Sequence, residues 1–248
     1  PETVEQLQEL VRYAISADVK LVPSGGRTGL SGGAVASNGE VVVSFDRMNQ
    51  ILDFSEQDRI VTCQPGVITA NLQNFAERQR LFYPVDFASS GSSQIGGNVS
   101  TNAGGIKVIR YGLTRDWVAG LKVVTGTGAL LDCNAGLVKN ATGYDFRHLM
   151  IGAEGTLGLL AEIDVQLTAM PEPQIVMVMG VPNVVDLLQI LQTFNAALTL
   201  SAFEFFSDVA LQKVRDHRSL PAPLGQPEAF YALVEFDQSA NSAAQPHY

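Results

Sequence analysis

Cysteine, histidine and tryptophan are scarce in this chain, and each scarcity excludes something. Two cysteines, three histidines and one tryptophan occur in 248 residues. Cys63 and Cys133 form neither a C-x-x-C pair nor a metal-type spacing, which argues against a zinc module or a disulfide framework. Each lies in or beside an apolar, strand-like run and reads as a small buried hydrophobe. No apolar run reaches the roughly eighteen residues of a membrane span, and the first residues do not have the pattern of a secretory signal. The compartment expected is the cytoplasm of a bacterium, or the mitochondrial matrix of a eukaryote. Basic charge is also short: sixteen Lys and Arg against twenty-five Asp and Glu give a formal net charge of −9. That balance argues against nucleic acid or anionic membrane as a general partner, while leaving room for a local basic pocket. The chain begins at Pro1 rather than Met, and residues are expected to be missing at one end or both.

Glycine, by contrast, is abundant and clustered. Residues 90–105 read SGSSQIGGNVSTNAGG, a stretch that keeps hydroxyls, amides and bare backbone. Glycine loses more conformational freedom on folding than any other residue, so such a cluster needs a compensating use. The candidates are a tight corner or close approach of main chain to a ligand.

Around it the patterning is that of alternating helices and strands. ETVEQLQELVRYAISAD places Val4, Leu7, Val11, Ala14 and Ile15 on one helical face, with Thr3 and Gln6 in capping-box positions. Residues 40–45, 50–54 and 59–64 are short, β-branched and split by turn residues, which predicts a meander. Residues 67–80 return to helical period. The run WVAGLKVVTGTGALLDC predicts a hairpin across TGTG, YDFRHLMIG a short helix, and TLGLLAEIDVQLTAM a long strand ending at MPEPQ. That proline pair is the expected boundary between a domain spanning residues 1–170 and a second one spanning 174–248. Beyond it the order strand, helix, strand, helix, strand predicts an α+β unit. The last residues, DQSANSAAQPHY, are polar and read as a frayed end.

Three loops carry the chemistry. In the first, PSGGRTGLSGG, the glycines allow N–H groups to turn inward while Ser24, Thr28 and Ser31 add hydroxyls and Arg27 a charge. Such a concave set of donors suits a phosphate. The loop is neither a Walker A sequence nor a Rossmann fingerprint, since G-x-G-x-x-G is absent from the chain. The second loop is the 90–105 stretch with its approach through Pro84 and Asp86. The third is GAEGTLGLLAEI, where Gly152, Gly155 and Gly158 surround Glu154. One extended nucleotide lying across all three would explain why no single loop holds a complete phosphate motif.

The order of PSGGRTGLSGGA, PVDFASSGSSQIGGNVSTNAGGIKVIRYG and NATGYDFRHLMIGAEGTLG resembles the flavin domain of the vanillyl-alcohol oxidase and p-cresol methylhydroxylase (PCMH) superfamily. Within it the chain is most similar to the FAD-linked D-2-hydroxyacid dehydrogenases, and LSAFEFFSDVAL and FYALVEF resemble the start of their substrate (cap) domain. The resemblance spans nearly the whole chain. It implies an α+β fold: a PCMH-type FAD-binding domain of two α+β subdomains, one with a small parallel sheet and one with an antiparallel sheet. A ferredoxin-like α+β cap domain begins after it. It also implies FAD contacts at Pro23, Ser24, Gly25, Gly26, Arg27, Thr28 and Gly29 in the first loop. In the second they fall at Pro84, Asp86, Ser92, Ile95, Gly96, Gly97, Asn98, Thr101, Asn102, Ala103, Gly104 and Tyr111. Glu154, Gly155 and Gly158 follow from the third, with Ile163 offering backbone to the adenine.

The activity implied is hydride transfer from a D-2-hydroxy acid, foremost D-2-hydroxyglutarate, to flavin N5, yielding the 2-oxo acid. Electrons would then pass to an electron-transfer flavoprotein or a quinone. His148, His217 and His247 all lie outside the first two loops, so the flavin is expected to be bound without a covalent link. The family's metal-binding histidine pair, its divalent metal and its base correspond to no position here, so no catalytic residue is named and this chain alone is expected to be inactive. Other readings are an FAD-binding module without catalysis of its own, a glycolate or D-lactate dehydrogenase subunit, and a sugar-nucleotide reductase that oxidises NADPH. A homo-oligomer is compatible with all of these.

Overall fold

The structure, a computed structural model, describes residues 1–134, 137 and 139–238. The chain divides into two units, one of residues 1–105 and 113–170, the other of residues 106–112 and the chain from Pro171 onward.

In the first unit, helix α1 (Val4–Ser16) buries Leu7, Val11 and Ala14, the stripe its periodicity marked. Thr3 Oγ1 accepts from the Gln6 N–H at 3.3 Å, while the Gln6 carboxamide reaches back to the Glu2 N–H at 2.7 Å. The cap is therefore real but spread over one more residue than the sequence pattern implies. Strands β1 (Leu21–Ser24) and β2 (Val41–Ser44) then pair in parallel, Leu21 opposite Val41. Strands β3 (Ile51–Ser55) and β4 (Ile60–Cys63) form an antiparallel hairpin in a different sheet. The expected meander is thus corrected: β2 leaves it to pair with β1, because its Val43 and the following Phe45 are needed beneath α1, where they pack with Leu7 and Met48.

Helix α2 (Thr69–Arg78), strand β5 (Leu81–Phe82) and a short helix α3 (Ile95–Ser100) follow. The last was not anticipated, since glycines at positions 96 and 97 are unfavourable in a helix interior. It forms because Ile95 and Val99 are both buried in the main core, so packing outweighs propensity.

Helix α4 (Val108–Tyr111) belongs to the second unit. Chain then returns to the first unit through a 3-10 turn at Thr114–Trp117, strand β6 (Val118–Thr125), strand β7 (Leu130–Cys133), helix α5 (Phe146–Met150), strand β8 (Gly158–Gln166) and strand β9 (Thr168–Ala169). The hairpin expected at TGTG is present as β6 and β7, and the short helix as α5. The expected long strand is split into β8 and β9, the latter pairing with β5. A five-stranded antiparallel sheet results, in the order β3-β4-β8-β6-β7. Both sheets named by the resemblance, one parallel and one antiparallel, are therefore present.

Strand β8 lies at the centre of that sheet, and its apolar residues alternate into the core. Cys63 and Cys133 are free and buried. Burial, with the neighbouring Asp164 charge second, pushes the Cys63 thiol up to about 12, so it stays unreactive at neutral pH. Asp164 itself is held above the usual carboxylate range, chiefly by burial, although Thr62 Oγ1 donates to it at 2.6 Å. A carboxyl with a raised folded-state value disfavours folding once ionised, and the penalty disappears as pH falls below its unfolded value near 4. Asp164→Asn is therefore expected to raise the thermal midpoint at pH 7, with the gain shrinking toward pH 4. A gain that is the same at both pH values, or a loss at pH 7, contradicts this.

The second unit contains α4, strand β10 (Gln174–Val181), helix α6 (Asp186–Ala197), strand β11 (Leu200–Ser207), helix α7 (Asp208–Arg218) and strand β12 (Phe230–Asp237). Its sheet is antiparallel in the order β10-β12-β11, the α+β order expected. Leu187, Ile190, Leu191 and Phe194 of α6 pack on Met179, Phe203, Ala232 and Val234. His217 lies in the exposed last turn of α7. His247 and the polar tail beyond Gln238 lie outside the described residues. Among the described residues, no helix is long and apolar enough to cross a membrane.

Candidate functional site

The three glycine loops converge on one cleft of about 410 Å³ within the first unit. Their mutual packing explains part of the glycine cost. At Gly26 a Cβ would fall 2.3 Å from the Ser92 carbonyl oxygen, so first and second loops touch backbone to backbone. Gly155 has φ +80°, and a Cβ there would meet Pro23 Cγ at 2.4 Å, which joins third loop to first. The Glu154 N–H donates to Ser100 O at 2.8 Å and the Gly152 N–H to Val99 O at 3.0 Å, joining third loop to second. Gly29 and Gly97 differ from these: around the place where a Cβ would stand there is open space.

Positions Pro23, Gly25, Gly26, Arg27, Thr28 and Gly29 of the first loop line the cleft. So do Gly96, Gly97, Asn98, Thr101, Ala103 and Gly104 of the second and Glu154, Gly155 and Gly158 of the third. Ser24 does not, being buried at the end of β1. Asp86 turns its carboxylate to Gln73 Nε2 and the Phe87 N–H, and Ser92 donates to Ser89 O. Asn102, at φ +44°, accepts the Arg115 N–H. Pro84 is not among the lining residues, and Ile95 is a core residue. Ile163 sits mid-strand in β8 between Cys63 and Leu121, with its side chain fully buried, and it is not among the residues that line the cleft. Tyr111 belongs to the second unit, where the Arg110 guanidinium lies 5.2 Å from its ring centre.

Two observations test whether the lining suits a dinucleotide. Among the described residues, no protein acceptor meets the N–H groups of residues 25–33, so these donors are available to a ligand. Second, Gln94 Oε1 is buried without a hydrogen-bond partner beside Gly25. The lining thus offers donors for phosphate oxygens and an acceptor for a hydroxyl or N–H, the mixed chemistry that an extended nucleotide presents. Arg27 and Glu154 are the ionisable groups of the lining. Gln94 was missed from the sequence, although the only long carboxamide in an otherwise short-side-chain stretch was a usable signal.

Residues 1–134 match the family model described as "FAD binding domain". The chain belongs to that family. Residues 170–247 match a second model, "FAD linked oxidases, C-terminal domain". A protein of Stutzerimonas stutzeri named D-2-hydroxyglutarate dehydrogenase is 59% identical over 245 residues, covering 99% of this chain and 53% of that protein. A protein of the same name from Xanthomonas citri pv. viticola is 53% identical over 247 residues, covering 98% of this chain and 52% of that one. This FAD-binding chain therefore spans about half the length of the curated relatives it matches. A solved alkyldihydroxyacetonephosphate synthase shares the fold, with a TM-score of 0.75 at 21% identity over 95% of this chain and 47% of its own.

His148 stands exposed in the last turn of α5, with Nε2 3.6 Å from Asp145 Oδ2. It is absent from the cleft lining. Among the described residues, no three His, Cys, Asp or Glu side chains converge as a metal site would require.

Proposed function

We propose that this chain is the flavin-binding part, with the beginning of the substrate domain, of an FAD-dependent dehydrogenase that oxidises D-2-hydroxyglutarate to the 2-oxo acid. The observation that carries the reading is the convergence of three loops on one donor-lined cleft, in a chain so similar to proteins bearing that name. The free N–H groups of residues 25–33 and the Arg27 guanidinium hold the pyrophosphate. Gly96, Gly97, Ala103 and Gly104 present bare backbone along which a flat ring can lie. The cofactor is held without a covalent bond, and when bound it supplies the two-electron acceptor for hydrogen leaving the substrate α-carbon. The loops themselves contribute fixed geometry: each is tied to the next through backbone, so the binding surface is set before the ligand arrives. The onward acceptor is an electron-transfer flavoprotein or a quinone.

The ionisable lining residues Arg27 and Glu154 are suited to binding rather than to proton abstraction. That favours, as a second reading, a module that binds FAD but depends on residues elsewhere for turnover. The deciding experiment mixes full-length protein, loaded with FAD, with D-2-hydroxyglutarate under anaerobic conditions. Bleaching of the flavin absorbance near 450 nm by the D but not the L enantiomer is the expected result. Faster bleaching by D-lactate or glycolate reassigns the substrate. Bound flavin that no 2-hydroxy acid reduces selects the binding-module reading.

A further inference from the structure

Gln94 is about nine-tenths buried, at 7% exposure, yet its Oε1 meets no donor. An unmet buried acceptor is costly, and in a native cleft it points to a donor that the bound state provides. The direction of the amide is fixed by chemistry. Its Nε2 lies 2.9 Å from Asp46 Oδ1, and an ionised carboxylate can only accept, so the –NH₂ must face Asp46 and the oxygen must point the other way, toward Gly25 of the cleft lining. Asp46 stays ionised because the Ser44 hydroxyl, then the Gln94 amide, hold its carboxyl below the usual range. The oxygen sits between the first and second loops, 3.3 Å from where a Cβ on Gly25 would be.

We propose that Gln94, oriented by Asp46, is a cofactor-contacting residue whose Oε1 accepts a hydrogen bond from a neutral hydroxyl or N–H donor of FAD. This rests on the reading that the cleft holds FAD. A phosphate is excluded at this point, since its oxygens also accept and would be repelled. The pair Asp46–Gln94 thereby divides the cleft: N–H groups of residues 25–33 without a protein acceptor for the phosphates, one oriented oxygen for a donor. Three donors on FAD qualify, namely a ribityl hydroxyl, the ring N3–H and the adenine amino group.

The test uses full-length apoprotein, with FAD affinity read by flavin fluorescence and apoprotein stability by thermal unfolding. Gln94→Met keeps the length and removes the acceptor. Its expected effect is a roughly ten- to thirtyfold weaker FAD affinity, with an apoprotein midpoint close to wild type, because removing the unmet acceptor offsets the lost amide bond to Asp46. Asp46→Asn lets the amide turn over and is expected to cost a smaller, three- to fivefold loss. Repeating the Gln94→Met comparison with N3-methyl-FAD, a 2′-deoxyribityl analogue and an N6-dimethyladenine analogue identifies the donor, since the penalty disappears for the analogue that lacks it. Affinity within twofold of wild type overturns the proposal. So does a loss accompanied by a lower apoprotein midpoint, or a penalty that is the same for all three analogues. Wild-type protein that binds no FAD at all overturns the cleft reading itself, a separate result.

Discussion

Gly26→Ala should abolish measurable FAD binding and destabilise the first unit by about 3 kcal/mol. The added Cβ would stand 2.3 Å from the Ser92 carbonyl oxygen and 2.9 Å from Ser93 Cα, and both are backbone atoms that no rotamer change can move. Relief requires the first and second loops to separate. Separation opens the cleft on the side lined by residues of the first loop, whose N–H groups have no protein acceptor, so stability and affinity fall together. Gly29→Ala is the control. Its Cβ meets nothing within 4 Å, so the unfolding midpoint should match wild type, and any loss of FAD affinity reports the ligand alone. Urea unfolding followed through Trp117, the one tryptophan and a residue of this unit, measures the first effect, and flavin fluorescence titration the second. A Gly26→Ala protein with wild-type stability would mean that the loops do not touch as described.

This contrast also shows what could be read from the sequence and what could not. The glycine cluster was legible as a cleft, because three such loops in one chain have few other uses. What residue identity could not reveal is that the glycines divide into two sets. Gly26 and Gly155 are glycine because protein meets protein there, whereas Gly29 and Gly97 leave space open to the cleft. Both sets look alike in the sequence, since the difference lies in which distant segment passes by. Ile163 shows the same limit: the resemblance implied a backbone contact there, and the sequence could not reveal that pairing with β4 and β6 sends its side chain into the core. The helices and strands after Pro171 were readable because each is long and strongly periodic. Helix α3 was not, because its glycines speak against a helix and only the burial of Ile95 and Val99 decides the matter.

Arg110→Met should cost the second unit about 3 kcal/mol, the scale of breaking a buried ion pair from one side. The segment carrying it follows directly on the second glycine loop, and the family resemblance implied a cofactor contact at its Tyr111. In the structure, positions 107 and 110, three apart on one face of a helical turn, meet Glu235 and Asp237, two apart on one face of β12. Lys107 Nζ lies 2.7 Å from Glu235 Oε1, and Arg110 Nη1 lies 2.5 Å from Asp237 Oδ1. Arg110 also donates to Ser201 Oγ at 3.1 Å, and Gln174 Nε2 donates to the same Asp237 carboxylate oxygen. The Asp237 side chain is only 4% exposed, so removing the guanidinium leaves a charge that water cannot reach and one amide cannot balance. Adding Asp237→Asn to Arg110→Met should recover most of the loss, because the penalty belongs to the stranded charge rather than to the missing contact. Hydrogen exchange at the β12 amides is the appropriate readout, since Trp117 lies in the other unit. Wild-type protection in the single variant, or a double variant no more stable than the single, would show that the pair is solvated and contributes only as a surface bridge does.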